Sequence, residues 1–262
     1  MPKPLKSQRT RKDVRELRFT KRLRNIGEGA YGEVFVGSLE FKHHVPKQTV
    51  SGKFMRTGHR VAIKRFRDKV SSREVAKYTR VIANLRVAGV RLPKMDFVKL
   101  KKGTKVGDAV LEEDEWVQVS QLFGSSKKGT KVNRYFKLKS VVARNEAVIE
   151  LTKIANAGYV PASDCIEVWK DGLRVISLDI DSPVFLRKQS FSQRAKKLAE
   201  QIGSMTQDVE ETQDRTHSAI TFRGLPDASK GEFLKLMRLA IRNANTLELK
   251  NALRIELTKW FQ

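Results

Sequence analysis

Apolar and polar positions alternate through the first half of the chain, and this period of two predicts strands. From Arg24 to Glu40, Ile26 and three glycines precede alternating Val34 and Val36, which predicts two strands joined by a glycine-rich turn. Residues 41–58, with His43, His44, Pro46, Gly52 and Gly58, read as an irregular insertion before a strand from Arg60 to Arg67. Further alternation predicts strands from Met95 to Leu100 and from Trp116 to Leu122, separated by a lysine-and-glycine turn and the acidic run Glu112 to Glu115.

One helix interrupts these strands. Ser71 or Ser72 can cap it, Val75, Tyr78, Thr79, Ile82 and Leu85 share one face at helical spacing, and Gly89 stops it after Val87. After the linker-like stretch Gly124 to Gly129 the period changes. Val141, Val142, Ala147, Val148, Leu151, Ile154 and Ala155 give the three-to-four spacing of a long buried helix over Tyr135 to Ala157. Two short strands follow, Cys165 to Trp169 and Leu173 to Leu178, turned by Lys170, Asp171 and Gly172. Helices are predicted near 191–203 and from 229 to the end, with Phe233, Leu236, Leu239, Ala240, Leu253, Leu257 and Trp260 on the core face. Residues 1–22 read as a basic leader, helical from Asp13 onward on the stripe of Val14, Leu17 and Leu23.

Composition narrows the function classes. The 262 residues, 40% hydrophobic and 31% charged with 7 prolines, describe a folded chain with ample material for a core. Its single cysteine, Cys165, rules out an internal disulfide and cysteine-based zinc clusters, and favours a reducing compartment, the cytoplasm or the nucleus. No apolar run reaches the length of a membrane span, and the basic first twenty residues lack the apolar core of a secretory signal. His43 and His44 have no further ligands nearby in sequence, so a surface loop is their default reading rather than a metal site.

Charge supplies a field. Fifty-three Lys and Arg against 29 Asp and Glu leave +24, and residues 1–70 hold 19 basic and 6 acidic side chains. Such an excess attracts nucleic acid, acidic proteins or an anionic surface over roughly a Debye length of 8–10 Å. The segment Arg9, Arg11, Lys12, Arg15, Arg18, Lys21, Arg22, Arg24 reads as a nucleic-acid arm, a localisation signal, a docking surface for an acidic partner, or a solvated helix face.

The candidate chemistry begins at Gly27, Gly29 and Gly32, which with Val34 spell G-x-G-x-x-G-x-V between two predicted strands. A dinucleotide-binding fingerprint would need these glycines to open a helix; here the chain continues as a strand. Lys64, thirty-two residues after Gly32, closes Val61-Ala62-Ile63-Lys64 on another strand. The ordered pair resembles the glycine-rich loop and V-A-I-K motif of protein kinases, and is more specific than either half. The resemblance covers roughly residues 24–181, most closely over the first 45 of these.

The resemblance implies an α+β, bilobal, protein-kinase-like fold: a basic leader at 1–22, a small β-rich lobe with one helix at 23–126, and a reduced, mainly helical lobe at 127–262. It implies ATP and Mg²⁺ as cofactors. Gly27, Gly29 and Gly32 would cover the phosphates, Lys64 would hold the α- and β-phosphates, and Glu74, the sole acid of the following helix, would orient that lysine. Ile26, Val34 and Ala62 would wall the adenine, with Gln121, Leu122 and Phe123 in the place of the hinge whose backbone meets the base edge.

In the second half Asp179, after the hairpin, stands where the family has Asp-Phe-Gly and would be a metal ligand. Pro161-Ala162-Ser163-Asp164-Cys165 replaces the His-Arg-Asp loop, so Asp164 serves either as the base that positions a hydroxyl or as a second metal ligand. Asp181 stands in the glycine's place, and no Ala-Pro-Glu closes an activation segment. A plain alternative has Asp164 capping a turn and Asp179 leaving a hairpin.

Three functions follow from these readings. The first is a compact kinase that phosphorylates a hydroxyl of a protein substrate, acidic or docked on the basic surface, resembling small kinases of viruses or bacterial effectors that act in a host cytoplasm. The second is a pseudokinase acting as a nucleotide-binding or interaction module. The third is a basic nucleic-acid-associated protein, binding through its N-terminus, in which the kinase likeness is incidental.

Overall fold

The computed structural model describes residues 17–19, 24–29, 32–41, 60–92, 95–106, 109–121, 133–134, 140–160, 166–168, 175–177, 188–206 and 227–261. By proximity of its backbone the chain divides into two compact units, 1–76 with 94–122, and 77–93 with 123–262. The architecture is α+β.

The first unit is built on a six-stranded antiparallel sheet. Its strands are β1 (Leu17–Phe19), β2 (Arg24–Gly29), β3 (Gly32–Phe41), β4 (Arg60–Phe66), β5 (Met95–Leu100) and, after the short β6 (Lys105–Val106) and β7 (Ala109–Val110), β8 (Glu115–Gln121). The order is β1-β3-β4-β8-β5, with β2 also on β3. Strand side chains alternate between faces. Phe35, Val61, Ile63, Val117 and Val119 therefore project to one side, where with Val98, Leu100, Val106 and Leu111 they form a dry core. Ile63, Val117 and Val119 have no exposed surface at all.

The leader is corrected at one point. Leu17–Phe19 is a strand rather than part of a helix, pairing with Leu39–Phe41 of β3. Three apolar positions gave the predicted helix a weak stripe, whereas the extended edge of β3 offers ladder hydrogen bonds to alternate residues.

The acidic run ahead of β8 is absorbed by structure. Glu115 receives two parallel hydrogen bonds from Arg65, each 3.0 Å, and raises that guanidinium above its ordinary pKa. Asp114 accepts from the backbone N–H of Lys102 and from Lys101 Nζ, both at 3.0 Å, and these bonds hold its carboxyl down at about 2. Glu113 pairs with Lys69.

Helix α1 (Ser72–Val87) begins where serine chemistry allows and ends two residues before Gly89, whose φ of +74° suits a residue without a Cβ. Val75, Tyr78, Ile82 and Leu85 are buried, as their spacing predicts. The sequence pattern assigns the whole helix to the first part of the chain, but residues 77–93 belong to the second unit. The reason is specific: Asn84 Nδ2 donates to the Tyr159 hydroxyl at 2.8 Å, and the backbone N–H of Arg91 donates to buried Glu150 at 2.9 Å.

The second unit is mainly helical, with α2 (Val141–Asn156), α3 (Phe191–Thr206), α4 (Asp227–Asn243) and α5 (Leu247–Lys259). Helix α2 starts at Val141, not Tyr135, because Ser140 turns extended and its hydroxyl accepts from the Ala143 N–H. The single helix predicted from 229 onward is two helices. Thr246 has extended backbone and caps α5 through the Leu249 N–H, while Asn156 of α2 binds the Asn243 carbonyl and the Asn245 N–H at the break. Phe233, Leu236, Met237, Ala240, Leu249 and Leu253 are buried, and Trp260 lies 4.8 Å from the Phe233 ring. A three-stranded sheet adds β9 (Asn133–Arg134), β10 (Ile166–Val168) and β11 (Val175–Ser177). The last two form the predicted antiparallel hairpin, with Ile166 opposite Ser177; β9, on the other side of β10, has no signal in the sequence pattern.

Among the described residues no helix is long and apolar enough to cross a membrane.

Candidate functional site

The site is built on the β2–β3 hairpin and its neighbour β4. Pairing between β2 and β3 runs from Arg24 opposite Val36 to Gly29 opposite Gly32, so only two residues bridge the turn. The register shifts between Asn25 and Gly27, which places a bulge at Ile26. All three predicted glycines thus belong to one hairpin, Gly27 opposite Val34 and Gly29 opposite Gly32.

Gly32 also has a packing role. Its φ is +147°, and a Cβ there would run into the carbonyl oxygen of Arg65 on β4. The sheet requires this glycine independently of any ligand, a demand invisible in the motif.

Across β3 and β4, Val34 stands opposite Lys64 and Val36 opposite Ala62. Across β4 and β8, Lys64 stands opposite Gln118 and Ala62 opposite Ser120. Directly opposed residues share a face, so Val34, Lys64 and Gln118 form one row and Val36, Ala62 and Ser120 the next. This face is opposite to the core of Phe35, Ile63 and Val119. Val34, Ala62 and Lys64 are each half-buried on it. A half-buried cation attracts an anion more strongly than one in open water.

Gln118 is a member of this row that the motif search missed. It is buried, and its Nε2 reaches the Met95 sulfur at 3.5 Å, a weak acceptor. Counting alternate positions back from Ser120 finds it, but only once Lys64 is known to face β8. Phe97, opposite Gln118, continues the row, and Phe66 stacks on it with ring centroids 6.2 Å apart.

Glu74 lies in the first turn of α1 and closes a capping box. Its carboxylate accepts from the Ser71 N–H at 2.8 Å and from the Ser71 hydroxyl at 2.7 Å, while its own N–H donates to Ser71 Oγ at 3.2 Å. The first turn is tied to β8 by Trp116 Nε1, which donates to Ser72 Oγ at 3.3 Å. Gln121 closes β8 opposite Val61. Leu122, Phe123, Asp164, Asp179 and Asp181 lie outside the described residues, as do His43 and His44. Among the described residues no three His, Cys, Asp or Glu side chains gather as a metal site.

A scan against protein-family models and a search of curated proteins each find no match to the chain.

Proposed function

We propose that the chain is an ATP-dependent kinase that transfers the γ-phosphoryl group to a serine or threonine hydroxyl of a protein substrate. The observation that carries this reading is the direct opposition of Val34 and Lys64 two pairs beyond the Gly32–Phe66 pair. Counted from the glycine hairpin, Lys64 stands on the third strand, and a helix with a single acid follows, the order that kinase chemistry uses.

The donor set fits the nucleotide. Val34 and Ala62 offer apolar walls, the glycine hairpin offers backbone N–H groups, and Lys64 offers one cation for the phosphates. For Mg²⁺ the sequence offers Asp179, and a hard cation takes carboxylate oxygens; the ion would neutralise charge on the β- and γ-phosphates. In the transfer, the substrate oxygen bonds to the γ-phosphorus, the bond from that phosphorus to the ADP oxygen breaks, and the hydroxyl proton passes to Asp164 as base. Glu74 would orient Lys64, in addition to capping α1.

The second reading, a nucleotide-binding pseudokinase, is favoured by Pro161-Ala162-Ser163-Asp164-Cys165 in place of His-Arg-Asp and its downstream asparagine. Purified protein with Mg·ATP and a panel of protein substrates separates the two. Transfer that disappears in Asp164→Ala and Asp179→Ala supports the kinase; calorimetric binding of Mg·ATP without transfer in the wild type supports the pseudokinase. Absence of both binding and transfer ends both readings.

A further inference from the structure

One buried side chain of the first unit is poorly satisfied by the fold. Among the described residues of that unit Gln118 is the only buried polar or charged side chain. Its Nε2 donates to the Met95 sulfur at 3.5 Å, and among the described residues no donor bonds to its Oε1. Burying an amide on one weak bond costs free energy that methionine or leucine, of similar size, would not. An unbonded amide oxygen by itself selects nothing, since Gln201 of α3 has one too. Place in the ladder selects Gln118. Lys64 has two directly opposed neighbours, Val34 and Gln118, and only Gln118 carries a side-chain acceptor.

We infer that Gln118 is a positioning residue for Lys64, its Oε1 accepting from the ammonium and holding it toward the β8 side of the row. What this does for transfer rests on the kinase reading; the contact itself does not. Directly opposed residues have Cβ atoms about 4.5–5.5 Å apart, a span that an amide on a short stem and an ammonium on a flexible four-carbon stem close by side-chain rotation. Such rotations take picoseconds to nanoseconds, so the contact is populated in the free protein. An ammonium has three donors, so a bond to Gln118 is compatible with a carboxylate partner and leaves a donor for phosphate. Glu74, the acid expected to orient Lys64, already gives one carboxylate oxygen to the Ser71 cap. A neutral amide adds direction without cancelling the charge that the phosphates are to meet.

The test is labelling of the full chain with the amine reagent trinitrobenzenesulfonate, the Lys64 peptide being quantified by mass spectrometry against those of Lys197 and Lys259. Only the free amine reacts, and an acceptor that favours the ammonium slows it. In Gln118→Met, Lys64 should react about three- to tenfold faster than in the wild type; in Gln118→Glu, which keeps an oxygen and adds charge, it should react at least about threefold slower. An amide that only fills space would make both variants faster or neither. Transfer from ATP is read beside the labelling: Gln118→Met should lose about tenfold in kcat with KM for ATP within about threefold. Unchanged Lys64 labelling in Gln118→Met, with a wild-type melting curve, overturns the inference. So does a change in the same direction in both variants, or an unchanged kcat in Gln118→Met. If Gln118→Glu does not fold, the labelling rate in Gln118→Met decides alone. A wild type that transfers nothing, with labelling moving in opposite directions, ends the kinase reading and supports the contact; transfer by the wild type with labelling unmoved does the reverse.

Discussion

Lys64 faces Val34 on one side and Gln118 on the other, and the residue next to it, Arg65, points to the opposite face of the sheet and holds Glu115. Adjacent cations on one strand thus have separate roles: Arg65 fastens β4 to the first residue of β8, and Lys64 is set on the face proposed to meet the nucleotide.

Replacing Lys64 by Met should therefore abolish phosphoryl transfer and spare the fold. A charge aimed at a transferring phosphoryl group contributes about 10²–10³ in rate. Lys64 is half-buried on a face separate from the core of Ile63 and Val119, so the thermal midpoint should shift by only a few degrees. Initial rates of labelled-phosphate transfer, read beside a melting curve, check this; retained transfer in Lys64→Met would remove the proposed activity.

Gly32→Ala should act through the sheet. The new methyl meets the Arg65 carbonyl at a backbone angle that side chains avoid, so a cost of about 2–5 kcal/mol is expected. Gly89→Ala has φ +74° but open space around it, and should cost only about 1–2 kcal/mol. Urea denaturation of both variants gives the comparison, and equal losses would refute the collision.

Ser71→Ala and Glu74→Ala should separate two roles of one carboxylate. Each removes part of the α1 capping box and should cost about 1 kcal/mol. Only Glu74→Ala should also slow transfer, because Ser71 has no proposed part in orienting Lys64. If both variants keep full transfer in the presence of saturating ATP, Glu74 is a cap alone.

Asp114 predicts an acid limb. Its carboxyl sits at about 2, below the usual 3.8, because the Lys102 N–H and Lys101 bond to the ionised form. A group with a depressed folded pKa contributes stability that is fully present above its unfolded pKa and is lost as pH falls through its folded pKa. The stability difference between wild type and Asp114→Asn should accordingly be constant above pH of about 5 and shrink between about 4 and 2. Denaturation midpoints across that range measure it, and a difference that grows on acidification would contradict the assignment.

Local chemistry made much of this legible. Helix α1 was readable at both ends because a serine cap, an apolar stripe and a glycine stop act within a few residues. Strands β4, β5 and β8 were readable because a half-buried strand must alternate. The strand at Leu17–Phe19, the strand β9 and the break between α4 and α5 were not, since each depends on a partner distant in the chain: Leu39–Phe41, Glu167–Val168 and Asn156 respectively. At the site, the glycines and Lys64 were found by motif and Gln118 was not.

By itself the amino-acid order determined the α+β class, the glycine hairpin, the lysine strand and the helix after it, because alternation, capping and turn chemistry are short-range properties. Tertiary structure alone decided that Val34, Lys64 and Gln118 stand in one row, that Gly32 must admit the Arg65 carbonyl, and that the acidic run is spent on Lys69, Lys101 and Arg65. Register and ion pairing are set by which backbone edges and charges meet after the chain folds back, and those meetings join residues tens of positions apart.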